Sequence, residues 1–343
     1  MAQSRLKQKL ENIRRDPGGS TEFLICDAKD NDMGGGVPAP GPLRDRDGGG
    51  AGWKTKRDYL DQVRAIVRQD VVDLMLMSVS NLEVLTHEGI FADSQVGTAV
   101  RANDTSDIWG PRGGRYRETP SLPFRTAHIP HILYGRDGVP KGTPPTLTDL
   151  GLYSVTFVND AAADRVAMQA YKDFRIEAEA WGLRHFLEVF NPNVGADRLS
   201  RAEVGDFVND SIIHTLAGVP QAARPDFLKM PFNGPRAVEE LASYDPSLIV
   251  GILGGGAGTT RDTLELVAQA KRHGARLVLF GRKINMAEDP LAMIKLMRMV
   301  ADGVIAPSEA VRVYHDGLEK AGIAPLRAVA DDATITEEVL QAS

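Results

Sequence analysis

The chain of 343 residues has a single cysteine, Cys26, so an internal disulfide is excluded and a reducing cytoplasm is the expected location. No run approaches the ~18 consecutive apolar residues needed to span a bilayer, and residues 1–15 lack the apolar centre of a signal peptide. The net charge of -6 lacks the basic excess of a broad nucleic-acid-binding face. We therefore expect a protein with neither a membrane nor a nucleic-acid partner, in which Cys26 is a small buried residue.

Short apolar runs alternate with longer segments of helical periodicity, a pattern typical of parallel βαβ units. The eight runs predicted as strands are 22–26, 72–77, 96–102, 151–158, 184–190, 225–230, 247–253 and 276–280. Eight parallel strands with outer helices predict an α/β fold of the (β/α)8 TIM-barrel type, whose active site lies at the carboxyl ends of the strands. An open doubly wound sheet is the alternative, disfavoured because the first strand is not followed by a glycine-rich dinucleotide-binding turn.

The remaining segments complete a single predicted barrel domain over residues 1–343. An N-terminal helix lies within 1–20, a Gly/Pro-rich loop covers 34–52, and an irregular insertion follows the third strand over 103–149. Helices are predicted at 56–69, at 81–89 after Ser80 as its cap, at 161–181 after Asp160 as its cap, at 202–216, from 235, at 260–273, at 290–301 and, as an extra C-terminal helix, at 307–321. Residues 323–343 are expected to be a tail.

A lysine interrupts the apolar sixth strand, at Lys229 in the run Asp-Phe-Leu-Lys-Met-Pro-Phe. Lysine is rarely fully buried, because removing its charge from water is unfavourable. Desolvation lowers the pKa of a lysine, and the neutral amine that results can attack a carbonyl carbon to form a Schiff base. The alternative is a lysine at a strand end whose ammonium group simply reaches water.

Polar residues at the strand ends of a barrel converge on one pocket. Glu188 stands in the apolar run 186–190, one strand before Lys229, and is either an acid/base group or only the ion-pair partner of that lysine. Asp27 follows the first strand and either contacts substrate hydroxyls or is a turn carboxylate paired with Lys29. Further candidates at strand ends, the first four for substrate binding, are Lys29, Ser78, Asn159, Asn191, Asn103 and Asp104.

Two loops predict an anion site. Gly254, Gly255 and Gly256 follow the seventh strand and lead into a helix, so backbone amides and a helix N-terminus would face the ligand. Gly281 and Arg282 follow the eighth strand, and Arg282 adds a permanent cation. Loops seven and eight form the recurrent phosphate site of such barrels, whereas the alternative is a flexible turn and a surface arginine.

Metal ligation is not supported by the spacing of ligand residues, and no metal or other cofactor is expected. His128 and His131 are the one close histidine pair, but no third ligand is evident, so ordinary loop histidines are the better interpretation. The acidic clusters Asp27/Asp30/Asp32 and Asp45/Asp47 have the oxygen ligands of a magnesium site, yet solvated loop carboxylates are commoner.

Together, the lysine strand, the Gly254–Gly256 loop, Gly281-Arg282, Glu188 and Asp27 resemble the class I aldolase superfamily of (β/α)8 barrels. The nearest group holds the deoxyribose-phosphate, archaeal-type fructose-bisphosphate and tagatose-bisphosphate aldolases. The resemblance runs over about 22–301 and rests on residues at strand ends.

The resemblance implies a metal-independent carbon–carbon lyase that acts on a phosphorylated ketose, with a homo-oligomer as its assembly. It implies that Lys229 forms the Schiff base, that Gly255, Gly256 and Arg282 hold the phosphate, and that Asp27 and Glu188 contact hydroxyls or move protons. Lys229 is followed by Met-Pro-Phe rather than by a segment with threonine or tyrosine, so the proton donor is missing there or supplied elsewhere. Alternatives are a lysine-dependent, thiolase-like acyl transferase of the same superfamily and a non-catalytic sugar-phosphate-binding protein.

Overall fold

The computed structural model of the protein describes residues 4–43 and 52–341, apart from the side chain of Asp197. Eight parallel strands form its centre: β1 (Leu24–Lys29), β2 (Leu74–Met77), β3 (Gly97–Arg101), β4 (Leu150–Thr156), β5 (Arg184–Phe190), β6 (Leu228–Lys229), β7 (Gly251–Leu253) and β8 (Leu277–Phe280). They pair in chain order from β1 to β6, and β8 pairs with both β1 and β7. Between β6 and β7, Met230 lies opposite Ile252 and its N–H donates to Gly251 O at 2.9 Å. The predicted TIM barrel is confirmed.

Helices surround the barrel, and their bounds are α1 (Arg5–Arg15), α2 (Asn31–Gly35), α3 (Lys56–Gln69), α4 (Val79–His87), α5 (Ile129–Tyr134), α6 (Ala161–Trp181), α7 (Arg201–Ala217), α8 (Pro235–Tyr244), α9 (Thr260–Arg272), α10 (Arg282–Asn285), α11 (Pro290–Ala301), α12 (Pro307–Ala321), α13 (Val329–Asp332) and α14 (Glu338–Gln341). Single 3-10 turns cover Tyr116–Glu118, Ala196–Arg198 and Gln221–Ala223. Within the described ranges, no helix has both the length and the apolar character that crossing a membrane requires.

Most predicted elements lie where the periodicity placed them, with differences at their ends. The carboxylate of Asp160 accepts from the N–H groups of residues 162 and 163, so it caps α6 as predicted. The predicted N-cap of α4 is wrong by two residues. The helix begins at Val79, so its N-cap is Ser78 and not Ser80. Strand β6 is shorter than predicted, and Pro231, which has no N–H to donate, follows closely after it.

Alternation of side chains along the strands divides the core into two parts. Alternate residues such as Leu24 and Cys26 point into the barrel, where Leu6, Leu10 and Ile13 of α1 close its N-terminal end. Residues of the opposite parity, such as Ile25, pack against the outer helices. Cys26 is fully buried as predicted, and burial raises the pKa of its thiol well above its ordinary value.

The 103–149 insertion, predicted to be irregular, contains local structure. Its segment Asp104–Thr105 pairs antiparallel with Pro123–Phe124, and α5 buries apolar side chains such as Ile132 against the barrel's outer helices. In the Gly/Pro-rich loop, Leu43 N donates to Gly52 O at 3.1 Å, and Lys54 N donates to Gly41 O at 3.0 Å. The Asp45/Asp47 cluster lies in 44–51, outside the described residues.

The C-terminal segment is not a loose tail in the part that the structure describes. Thr260 N, at the start of α9, donates to the carboxylate of Asp332 at 2.8 Å, and Asp332 also contacts His315 at 2.9 Å. Leu340 is fully buried beside α9. The segment 329–341 therefore anchors the N-terminal end of α9, which lies directly after loop seven.

Candidate active site

Three inward-facing polar residues lie side by side at the carboxyl ends of β4, β5 and β6. Ser154 is the Cα partner of Glu188, and Glu188 is the Cα partner of Lys229. The residues two positions earlier in the chain are Leu152, Phe186 and Phe227, which lie in the barrel interior. Because side chains alternate along a strand, the register of the barrel itself places the three polar side chains in one layer above the interior core.

Lys229 and Glu188 form a buried ion pair. The side chains are 6% and 2% exposed, and Lys229 Nζ lies 2.5 Å from Glu188 Oε1. The other carboxylate oxygen, Glu188 Oε2, accepts from Ser154 Oγ at 2.7 Å and from an Arg101 N–H at 2.9 Å. An acid/base role for Glu188 and a role as the ion-pair partner of Lys229 both predict this contact. The ion pair alone therefore does not decide between the two roles.

Arg101 extends the network to a second carboxylate. Its Nε donates to Asp30 Oδ2 at 2.6 Å, and a further N–H donates to Ser154 Oγ at 2.8 Å. Burial alone would raise the pKa of Asp30, but the charges of Arg101 and Lys229 outweigh it and hold that pKa below its ordinary value. Asp30 is therefore ionised at neutral pH.

Arg101, Ser154 and Asp30 were missed as members of this site by sequence reasoning. Arg101 has the same sequence pattern as Lys229, because it is a charged residue in an apolar strand. It follows the inward-facing Ala99 by two residues, so its side chain also points inward. The sequence shows Asp30 only as part of an acidic cluster, because its partner Arg101 is 71 residues away.

A cavity of about 160 Å³ lies above this network at the carboxyl end of the barrel. The charged residues of the network form one part of its wall, and the loops after β7 and β8 form another. The polar and glycine residues that line it are Asp30, Asn31, Gly34, Gly35, Arg101, Arg117, Glu188, Lys229, Gly254, Gly255, Gly281 and Arg282. The structure thus brings Lys229 and Glu188 together with most of the predicted anion-binding residues.

Two glycines of these loops stand where a residue with a side chain would be unfavourable, one because of its backbone conformation and one because of the space available. Gly255 has φ +65°, which residues with a side chain rarely adopt, and a Cβ on Gly281 would lie 2.9 Å from Ala28 O. Gly256 is exposed and is not among the residues that line the cavity, which corrects the prediction for that residue.

Two arginines lie at the same end of the cavity. Partial burial and the nearby charge of Arg117 lower the pKa of Arg282 from its ordinary value. Within 4–43 and 52–341, neither guanidinium forms an ion pair with a carboxylate, and Arg117 Nε donates to a backbone carbonyl, Asp107 O, at 2.9 Å. Two adjacent unneutralised cations beside glycine loops are suited to an anion.

The start of α9, predicted to face that anion, is occupied by the protein itself. The Thr260 N–H is used by Asp332, and Thr259 N donates to Asp262 at 2.9 Å. The prediction of an anion at a helix N-terminus is therefore corrected: the anion there is a carboxylate from the C-terminal segment, which no local pattern reveals.

Asp27 and Lys29 do not reach the cavity, because β1 continues three residues beyond its predicted end. Both lie on the strand with the parity of Ile25, and therefore point away from the interior. Lys29 Nζ lies 2.8 Å from Asp27 Oδ2 and donates to Asn285 of α10, outside the barrel. The predicted catalytic role of Asp27 and the substrate contact of Lys29 are thus not supported by their positions.

The remaining strand-end candidates also lie away from the cavity wall. Ser78 Oγ donates to Asp32 at 2.8 Å, and Asn191 exchanges hydrogen bonds with Asn233 at 2.8 and 2.9 Å. Asn103 fixes the backbone of Ser154, accepting from its N–H at 2.6 Å. Asn159 is exposed at φ +57° in the turn before α6.

No family model matches the chain, and no curated protein sequence matches it. The chain is similar to the solved structure of an archaeal fructose 1,6-bisphosphate aldolase, with 14% identity and a TM-score of 0.58 over 86% of this chain and 99% of that one. It is similar to an archaeal fructose-1,6-bisphosphate aldolase with the catalytic lysine covalently bound to the carbinolamine intermediate, with 15% identity and a TM-score of 0.55 over 86% and 98%. A protein from Corynebacterium glutamicum is 16% identical, with a TM-score of 0.57 over 88% and 98%.

The chain shares the barrel fold of these two archaeal aldolase structures. At these identities the likeness concerns the fold alone. Reaction and substrate must be argued from the site itself.

Asp104 provides a pH-dependent test of the site's electrostatics. Burial raises the pKa of its carboxyl to about 6, although Arg101 opposes the shift, and neither carboxylate oxygen has a hydrogen-bond partner. The folded protein holds this proton more tightly than the unfolded chain, so the carboxyl's contribution to stability falls as pH rises from about 4 to about 6 and stays low above that.

We expect Asp104→Asn to raise the free energy of unfolding at pH 7.5 by on the order of 1–2 kcal/mol, and to have little effect at pH 4. Urea unfolding at both pH values measures this, with the exposed Asp93→Asn as a control that should show no such difference. An Asp104→Asn variant less stable than the wild type at pH 7.5 would contradict the assignment.

Proposed function

We propose that this protein is a class I aldolase that makes or breaks a carbon–carbon bond in a phosphorylated ketose through a Schiff base on Lys229. The observation that carries the proposal is the position of the Lys229 amine. The side chain points inward from the carboxyl end of β6, is buried, lies 2.5 Å from Glu188 and lines the cavity. The fold shared with Schiff-base-forming fructose-1,6-bisphosphate aldolase supports it.

The pair supplies the proton transfers that imine formation requires. Glu188 accepts a proton from the Lys229 ammonium group, and the neutral amine adds to the substrate ketone to give a carbinolamine. Glu188 then returns a proton to the departing hydroxyl group, which leaves as water, and the protonated imine remains. That imine accepts the electron pair of the carbon–carbon bond that breaks, while Glu188, again a carboxylate, takes the proton of the hydroxyl group that becomes the product aldehyde. No metal takes part in this scheme.

Glu188 is the best candidate for proton transfer among the described residues. The segment after Lys229 has no hydroxyl side chain, and no serine, threonine or tyrosine lines the described part of the cavity. The other carboxylate on its wall, Asp30, is paired with Arg101 at 2.6 Å, whereas Glu188 contacts the amine of Lys229 directly at 2.5 Å. Ser154 and Arg101 act as positioning residues, because they fix Glu188 Oε2 and leave Oε1 facing the amine.

The other end of the cavity matches a phosphate group. Arg282 and Arg117 supply cations, while Gly254, Gly255 and Gly281 allow a ligand to approach the backbone. In TIM barrels the loops after strands seven and eight commonly form the phosphate site. A phosphate bound there would position the ketone at Lys229 with binding energy from a part of the substrate that does not react.

Reductive trapping tests the proposed Schiff base. The protein is incubated with a panel of triose, pentose and hexose ketose phosphates and sodium borohydride, and peptide mass spectrometry locates the adduct. We expect it on Lys229 alone. Lys29 is a second buried lysine of the same chain, engaged by Asp27 outside the barrel, and should stay unmodified.

Lys229→Met should show neither the adduct nor carbon–carbon cleavage, whereas the exposed Lys295→Met should behave as the wild type. Full activity of Lys229→Met would exclude the proposed mechanism. Product formation only when an acyl acceptor is added would favour an acyl transferase, and ligand-induced thermal stabilisation without turnover would favour a binding protein.

Substitutions of the two arginines test the phosphate end. We expect Arg117→Ala and Arg282→Ala each to lower kcat/KM for the phosphorylated substrate about tenfold or more, mainly through KM, because charge-assisted hydrogen bonds to phosphate are lost. Arg115→Ala is the matched control, since Arg115 is 83% exposed and pairs with Glu118 instead. Steady-state kinetics in which all three variants behave alike would contradict a phosphate at this position.

A further inference from the structure

A second cluster of ligand-type side chains lies in the 103–149 insertion, away from the Lys229 cavity. His128 Nδ1 lies 2.9 Å from Asp137 Oδ1, and His131 Nε2 lies 3.1 Å from Asp137 Oδ2. The two imidazole rings meet edge to face with centroids 5.3 Å apart. Over 4–43 and 52–341, this is the one group of three or more such residues whose ligand atoms lie within 4.8 Å of one another.

We propose that His128, His131 and Asp137 bind one divalent first-row transition-metal ion, with zinc as the probe. Atoms bound at ~2.0–2.2 Å to a tetrahedral zinc ion lie about 3.3 Å apart, and the two nitrogen–oxygen distances already approach that value. Two imidazoles and one carboxylate are a ligand set for such ions, and the remaining coordination position is left to water.

The fold brings the third ligand to the histidine pair. His128 is the residue before α5, and His131 lies on that helix. Gly135 ends the helix at φ +73°, which turns the chain so that Asp137 returns to the two imidazoles. Sequence spacing showed only the pair, because the turn that adds Asp137 depends on the glycine's conformation.

The ion would join the two ends of α5. Ile129, Ile132 and Leu133 of this helix are fully buried and fix its other face. None of the three ligand residues lines the Lys229 cavity. We therefore expect the ion to stabilise the insertion without taking part in the reaction proposed for Lys229, so the two proposals stand or fall separately.

Isothermal titration of the tag-free, chelator-treated full-length protein with zinc chloride tests the site. We expect about one equivalent to bind in the micromolar range and to raise the melting temperature. His131→Ala and Asp137→Asn should each weaken zinc binding about tenfold or more, and the asparagine variant keeps the size of the side chain in case the alanine variant fails to fold. His214→Ala, which removes an exposed histidine of α7, should bind as the wild type does.

No saturable binding to the wild type below about 100 μM zinc would overturn the proposal. It would also be overturned if the two ligand variants bound zinc as tightly as His214→Ala, because the metal would then be held by other residues. Zinc binding that disappears in the ligand variants while their melting temperatures without zinc match the wild type would support it.

Discussion

The site depends on four buried charges that neutralise one another. Lys229, Glu188, Arg101 and Asp30 form a chain of two cations and two carboxylates, whose side chains are each 6% exposed or less. A single buried charge is strongly destabilising, and removing one partner from such a chain leaves another uncompensated. The barrel register makes the arrangement feasible, because Glu188 and Lys229 are direct Cα partners on adjacent strands. One consequence is that the amine of Lys229 is buried yet paired with the group proposed to receive its proton.

The architecture and the two central residues could be predicted from sequence, because both depend on short-range patterns. Alternating strand and helix periods indicated the barrel, and a charge within an apolar strand indicated Lys229 and Glu188. Arg101 shows the same pattern, a charge at the end of an apolar strand. The predicted position of Asp27 in the cavity is wrong because β1 does not end at Cys26. The strand continues through Asp27 to Lys29, and the alternation of side chains along it directs Asp27 toward the outer helices.

Features that join distant segments could not be predicted. Arg117 reaches the cavity from the insertion, and Asp332 occupies the start of α9 from the C-terminal segment. Each lies beyond the range of any local period or capping motif. Asp137 shows the same limit over a shorter distance, since its approach to His128 and His131 depends on one left-handed glycine.

We expect one molecule of substrate to span the cavity from Lys229 to Arg117 and Arg282. A crystal soaked with dihydroxyacetone phosphate at neutral pH tests this most directly. We expect continuous density from Lys229 Nζ to the substrate's carbonyl carbon, with the phosphate between Arg282 and Arg117. An unmodified Lys229 still paired with Glu188, with the phosphate bound elsewhere or absent, would contradict it.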